Sequence, residues 1–141
     1  MQPTSDDIGA VIARAKSAKR RRDAQTLVAL MQQVSGRDGR AWGTIIGFGA
    51  CHYRYPTGTE GNSPLLAFAP RASATTIYLL DGVDAHADAL AVLGPHTTGA
   101  GCLYIRDLEM IDISVLESIL HRSLAWIEAG GSEGMALTAT D

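Results

Sequence analysis

Between Thr44 and Leu80 the chain abandons one periodicity for another, and that change limits its fold more than any other feature. On either side, apolar residues recur at helical spacing. Within it, TIIGFGACHYRY, PLLAFAP and ATTIYLL are rich in β-branched and aromatic residues and are separated by PTGTEGNS and RAS. Such runs, bounded by turn residues, predict successive antiparallel strands. Gly43, Gly47 and Gly49 suggest a bend or bulge able to split the first run into two short strands.

The flanks follow a 3.6-residue period. Ile8, Val11, Ile12 and Ala15 predict an amphipathic helix over 6–18, with Thr4 or Ser5 as its N-cap. Leu27, Leu30, Met31 and Val34 predict a second over 19–34, ended by Gly36, before the turn-rich link SGRDGR. After the strands, Val83, Ala87, Leu90 and Leu93 return to helical spacing, stopped by Gly94 and Pro95, and CLYIRD reads as one more strand. A last helix over 113–128 aligns Leu116, Ile119, Leu120, Leu124 and Ile127, and its start resembles a capping box of Ser114 and Glu117. Residues 130–141 have no period and are expected as a flexible C-terminal tail, leaving 1–129 as one domain. The expected class is α+β: an antiparallel sheet of about four to six strands, with the N-terminal and C-terminal helices packed on one face.

At 141 residues there is room for one core, and 46% hydrophobic content supplies it. No apolar run reaches the roughly 18 residues needed to cross a bilayer, and no basic-then-apolar leader opens the chain, so the expectation is a cytoplasmic protein without a membrane partner. Two cysteines, Cys51 and Cys102, are too few for a disulfide framework. Charge is uneven: residues 1–40 carry eight Lys or Arg against four Asp or Glu, and the remainder four against eleven. The basic run from Arg14 to Arg22 has no interleaved aromatic residue, which favours a solvated helix junction over nucleic acid.

Two places hold residues with chemistry. Cys51, His52, His96 and Cys102 would make a two-cysteine, two-histidine zinc set, but adjacent residues of a strand point to opposite faces, so Cys51 and His52 diverge unless a bulge reorients them. Regular alternation groups Phe48, Ala50, His52 and Arg54 on one face, with Cys51, Tyr53 and Tyr55 on the other. Nothing in the sequence puts a cation beside Cys51 to make it a catalytic thiolate; a small buried hydrophobe is the simpler reading. The loop GPHTTGAGC could gather backbone amides into an anion-binding nest with His96, Thr97 and Thr98, or be a plain connection with glycines at positive φ. It is no P-loop, since it lacks GKS or GKT and leads into a strand.

Three segments together, WGTIIGFGACHYRYPTGTEGNSPLLAFAPR, TIYLLDG and LGPHTTGAGCLYIRDLEMIDISVLESILHRS, resemble the YdhG-like family of small bacterial domains of unknown function, over about residues 20–123. The matching motif positions are Trp42, Gly47, Phe48, Gly49, His52, Tyr53, Tyr55, Gly58, Pro70, Arg71, Tyr78, His96, Thr98, Gly99, Cys102, Leu103 and Tyr104. The family's loop lysines are replaced by Pro95, Thr97 and Ala100, and Ala72 stands where lysine is common, so positive charge falls to Arg54, Arg71 and His96. The resemblance implies a compact α+β domain and, for some members, frataxin-like iron chaperoning. Iron as a cofactor is implied by the resemblance alone; the residues themselves imply none, and Asp84 and Asp88, one helical turn apart, are the weak metal candidates. No nucleophile–base pair is evident and no catalytic residue is assigned. The leading expectation is a non-enzymatic domain that binds a small anionic ligand or a protein partner through His52, Tyr53, Tyr55, Arg71, His96, Thr98, Gly99, Cys102 and Tyr104. The alternatives are an iron-handling protein and an enzyme using the His96/Cys102 loop.

Overall fold

The computed structural model describes residues 1–141. Helix α1 (Ile8–Ala13) starts at Asp7, whose carboxylate accepts the Gly9 amide at 3.3 Å, and not at Thr4 or Ser5. Thr4 is engaged elsewhere: its amide donates to the Ala41 carbonyl at 2.8 Å and ties the N-terminal segment to a sheet edge. Helix α2 (Ala18–Ser35) is capped by Ser17, whose hydroxyl accepts the Arg20 amide at 3.1 Å. It ends at Gly36 as expected, with φ 69°, a left-handed conformation that costs glycine nothing.

Ten short strands form two antiparallel sheets. The larger has the lateral order β1 (Gly39–Trp42), β2 (Ile45–Phe48), β5 (Leu66–Pro70), β6 (Thr75–Tyr78), β8 (Cys102–Ile105), β7 (Thr97–Thr98). The smaller has the order β4 (Glu60–Ser63), β3 (Cys51–Arg54), β10 (Met135–Ala139), β9 (Gly131–Ser132). The α+β class holds, but the expected single sheet is two.

GFGACHYRY is where the chain passes from one sheet to the other. Gly49 has φ 69°, and the step through Gly49 and Ala50 lets Phe48 and Cys51 both enter the core with 0% exposure. A continuous strand would separate them, so the grouping of Phe48 with His52 is corrected by this kink. Beyond it the alternation is regular, and Cys51 and His52 diverge as expected: Cys51 is buried, while His52 faces outward. The chain returns along β4 and re-enters the larger sheet as β5, with the Leu65 amide donating to the Phe48 carbonyl at 3.1 Å.

Residues 130–141 are not a frayed tail. β10 lies between β3 and β9, with Leu137 opposite Tyr53 and Ala139 opposite Cys51, so the domain extends past residue 129. Leu137 is the one large apolar side chain of MALTA that is fully buried, worth about 2 kcal/mol; ladder hydrogen bonds to β3 do the rest.

A 3₁₀ turn (Val83–His86) and the short helix α3 (Ala87–Ala91) replace the longer helix expected there. Helix α4 (Ile113–Glu128) has the expected bounds, but its cap is Asp112, which accepts the Ser114 and Val115 amides at 3.0 and 3.4 Å, in place of a Ser114–Glu117 box. Helix α2 lies on β2, β5 and β6, and α4 packs between α2 and β10. One contiguous cluster of 26 buried residues fills the space between sheets and helices, so the chain has a single core. No helix is long and apolar enough to cross a membrane.

The hinge between the sheets is tight. A Cβ at Gly49 would lie 2.5 Å from Leu65 Cδ1 and 2.7 Å from Arg37 Cδ, in a positive-φ conformation. Gly49→Ala is expected to cost about 2 kcal/mol or more in urea unfolding, because strain and overpacking add. Gly58→Ala, at φ 91° with nothing within 4 Å, should show only the strain, about 1 kcal/mol.

Candidate functional site

Along each strand of the larger sheet one set of side chains enters the core and the alternate set faces away. Leu103 and Ile105 of β8 are core; Cys102 and Tyr104 lie on the opposite face, beside Tyr78 and Thr76 of β6. The middle of this outer face is built from Gly47, Ala67 and Ala69, residues small enough to be roofed by their neighbours. Trp42 and Pro64 close over Gly47, where a Cβ would lie 2.8 Å from Trp42 Cδ1 and 2.6 Å from Pro64. Arg71 donates to the Tyr78 hydroxyl at 3.3 Å, bridging above the register partners Ala69 and Thr76.

At one end of this face is a cavity of about 630 Å³, lined by Ser73, Ala74, Pro95, His96, Thr97, Tyr104, Arg106, Asp107 and Met110. That volume is in the range of small-molecule sites. The β5–β6 turn supplies Ser73 and Ala74, the approach to β7 supplies Pro95 to Thr97, and the exit from β8 supplies Arg106 and Asp107. His96 Nδ1–H donates to the Gly94 carbonyl at 2.7 Å, which fixes the ring and leaves Nε2 without a protein partner. Cys102, ahead of burial and Tyr78, pushes the Tyr104 hydroxyl above its ordinary pKa. Arg106 is exposed and its guanidinium meets no protein acceptor. Asp107 is matched on its far side: the Glu109 amide, followed by Lys19 at 3.5 Å and Arg22 at 2.7 Å, holds its carboxyl below the ordinary range.

The floor of the cavity is anchored to α2. Arg20, 5% exposed, donates to the Arg106 carbonyl at 3.1 Å and to Thr75 Oγ1 at 3.3 Å. Asp23, 1% exposed, accepts the Leu108 amide at 3.0 Å and Arg22 at 2.9 Å. Much of the basic run is paired within the chain: Arg14 pairs with Asp6 at the surface, and Arg21 donates to the Ala15 carbonyl. It straddles the helix junction as expected, but Arg20 is buried and not solvated.

The residues singled out in the sequence fall in different places. His96 and Tyr104 line the cavity, Cys102 and Gly99 adjoin Tyr104, and Thr98 lies in β7. Arg71 borders a separate cleft of about 110 Å³ with Val11, Arg14, Ala15, Thr44 and Pro70. His52, Tyr53 and Tyr55 belong to the smaller sheet and its hairpin. His52 is held by Asn62 at 3.2 Å and Glu60 at 3.1 Å, and Tyr53 meets Tyr55 edge to face at 5.6 Å, its ring lying over Gly61. These three do not join the rest, because the Gly49 kink sends them to another sheet. The glycine loop forms a hairpin and no nest: the Gly99 amide donates to the Cys102 carbonyl at 2.9 Å, and neither Gly99 nor Gly101 has positive φ. Asp84 and Asp88 are exposed, and no group of three His, Cys, Asp or Glu side chains is placed to hold a metal ion. Arg106 was missed, although the period of two running Cys102, Tyr104, Arg106 puts all three on one face.

A second polar cluster lies under α4. His86 Nε2–H and Ser123 Oγ–H both donate to Asp81, at 2.8 Å each, with the His86 and Asp81 side chains 1% and 5% exposed. Burial raises the Asp81 pKa, but the His86 and Ser123 hydrogen bonds and the His86 charge outweigh it and hold the carboxyl below its ordinary value. The arrangement is not a Ser–His–Asp relay, since the serine donates to the carboxylate and not to the imidazole, and Ser123 is buried away from any substrate. It pins the β6–α3 connection to α4.

Comparison with family models, with curated proteins and with solved structures finds no match to this chain.

Burial pushes the Cys51 thiol up to about 11, so Cys51 should react with a maleimide only on unfolding, while the partly exposed Cys102 reacts in the folded protein; mass spectrometry of each peptide against urea checks this. Because Asp81's pKa is lowered on folding, its contribution is full above about pH 4 and is lost as pH falls further. Asp81→Asn should lose about 2 kcal/mol at pH 7, measured by urea unfolding, and show a shallower loss of stability below pH 4 than the parent.

Proposed function

We propose that this chain is a non-enzymatic binding domain for a small anionic ligand, seated in the cavity bounded by the β5–β6 turn, the entry to β7 and the exit from β8. One observation carries the reading: Arg106 brings an unpaired guanidinium to a concavity that also presents His96 Nε2 and the Tyr104 hydroxyl. A guanidinium fork suits a carboxylate or a phosphate, and a charge-assisted pair is worth more than a neutral hydrogen bond. The neighbouring cations of α2 are spent on Asp23, Asp107 and backbone carbonyls, so Arg106 is the cation left for a ligand. Two of the side chains that could act as nucleophiles are withdrawn from chemistry, which fits binding without turnover: Cys51 is buried with a raised pKa, and Ser123 is committed to Asp81. Membership of the YdhG-like family belongs to the same proposal and rests on the motif residues, of which His96, Thr98, Gly99, Cys102 and Tyr104 lie in or near the cavity.

A thermal-shift screen of anionic metabolites against the parent and Arg106→Gln tests it. A ligand at 100 times its Kd should add about 2.7 kcal/mol to the parent, and Arg106→Gln should weaken binding about tenfold. Finding no anion that stabilises the parent more than the variant would reject the reading, and selective stabilisation by Fe(II) alone would replace it with metal handling.

A further inference from the structure

We infer that the ligand of this cavity is a monocarboxylate with an apolar body and a hydrogen-bond donor near its carboxylate, the chemistry of a 2-hydroxy acid or an N-acylated amino acid with a large side chain. The inference rests on the reading that Arg106 receives an anion here, and takes it further from the charge, the free imidazole nitrogen and the apolar part of the lining.

The charge count favours one negative charge. Arg106 is the only Lys or Arg lining the cavity, and Asp107 shares its rim. The partners of Asp107, Lys19 and Arg22, reach it from the α2 side, so its charge is balanced but not removed. A phosphate dianion would bring a second charge toward Asp107 with no second cation to meet it; a carboxylate fits the single guanidinium fork. His96 sets the donor requirement. With its Nδ1–H given to the Gly94 carbonyl at 2.7 Å, His96 has Nε2 as the ring nitrogen left for a ligand, and an imidazole acceptor in a ligand site is matched by a hydroxyl or N–H on the ligand. The apolar part of the lining is Ala74, Pro95 and Met110, which is 64% exposed and costs free energy while uncovered; the hydroxyls of Ser73, Thr97 and Tyr104 complete the wall. Methionine adapts to irregular apolar shapes, so this side takes a ring or an alkyl chain without strict selection.

The test is a titration of the ¹⁵N-labelled full chain, followed through the amides of residues 96–106, with three probes that differ in one property each: 3-phenyllactate, 3-phenylpropionate and phenyl phosphate. Phenyllactate should bind about fivefold tighter than phenylpropionate, one neutral hydrogen bond's worth, and phenyl phosphate no tighter than phenylpropionate. The fivefold preference should vanish in His96→Phe and return in His96→Gln, whose amide oxygen can stand where Nε2 stood; a structural role for His96 would not give that rescue. Equal affinity for the two carboxylates, or tightest binding of phenyl phosphate, would overturn the ligand class while leaving an anion site at Arg106. If none of the three probes shifts these amides, and Arg106→Gln changes nothing, the anion-binding reading itself fails.

Discussion

The structure is organised around a carboxylate that has almost no water to speak to. Asp23 sits on α2 with 1% of its side chain exposed, and an uncompensated charge there would cost several kcal/mol. It is held because its oxygens accept the Leu108 amide and the Arg22 guanidinium, with Arg20 3.8 Å away. Arg20 in turn reaches Thr75 and the Arg106 carbonyl. One pair on one helical turn therefore links α2 to β6 and to the segment leaving β8. The apolar face of α2 determines that the helix lies on the sheet; these polar contacts determine where along the sheet it stops. The cavity inherits that position, because its Arg106 and Asp107 belong to the backbone that Arg20 and Asp23 grip.

Elements with a strong local period were legible in the sequence. The stripe from Leu116 to Ile127 located α4 to the residue, and Gly36 marked the end of α2 because a left-handed cap needs a residue without a Cβ. The divergence of Cys51 and His52 followed from the pleat. What could not be read was set by partners distant in the chain. β10 has one buried large side chain and no alternation, so its ladder with β3 decides its conformation. Asp23 and Arg20 look like members of a surface charge run until the β8 exit is placed against them. The Asp112 cap preceded the box that resembled one, since a carboxylate two residues ahead of Ser114 and three ahead of Val115 reaches both free amides.

The candidate site shows the same division. His96 and Tyr104 stood out as polar and aromatic residues near a glycine loop, and they share a cavity. His52, Tyr53 and Tyr55 stood out equally but belong to the other sheet, and only the conformation of Gly49 separates the two groups. A motif that reads as one patch along the chain is two surfaces in space. The glycines of the loop serve compactness: Gly99 lies under the Tyr104 hydroxyl, and a Cβ there would come within 3.1 Å of it.

The small sheet has a consequence for how the molecule comes into being. β3 is flanked by β4, its neighbour through a hairpin, and by β10, which pairs Leu137 with Tyr53 across most of the sequence. During synthesis the hairpin and the larger sheet have all their strands well before residue 135 is made, yet Cys51 and Tyr53 lack one lateral neighbour until then. The nascent protein thus carries an open strand border for the whole interval, and β10 is the segment that seals it.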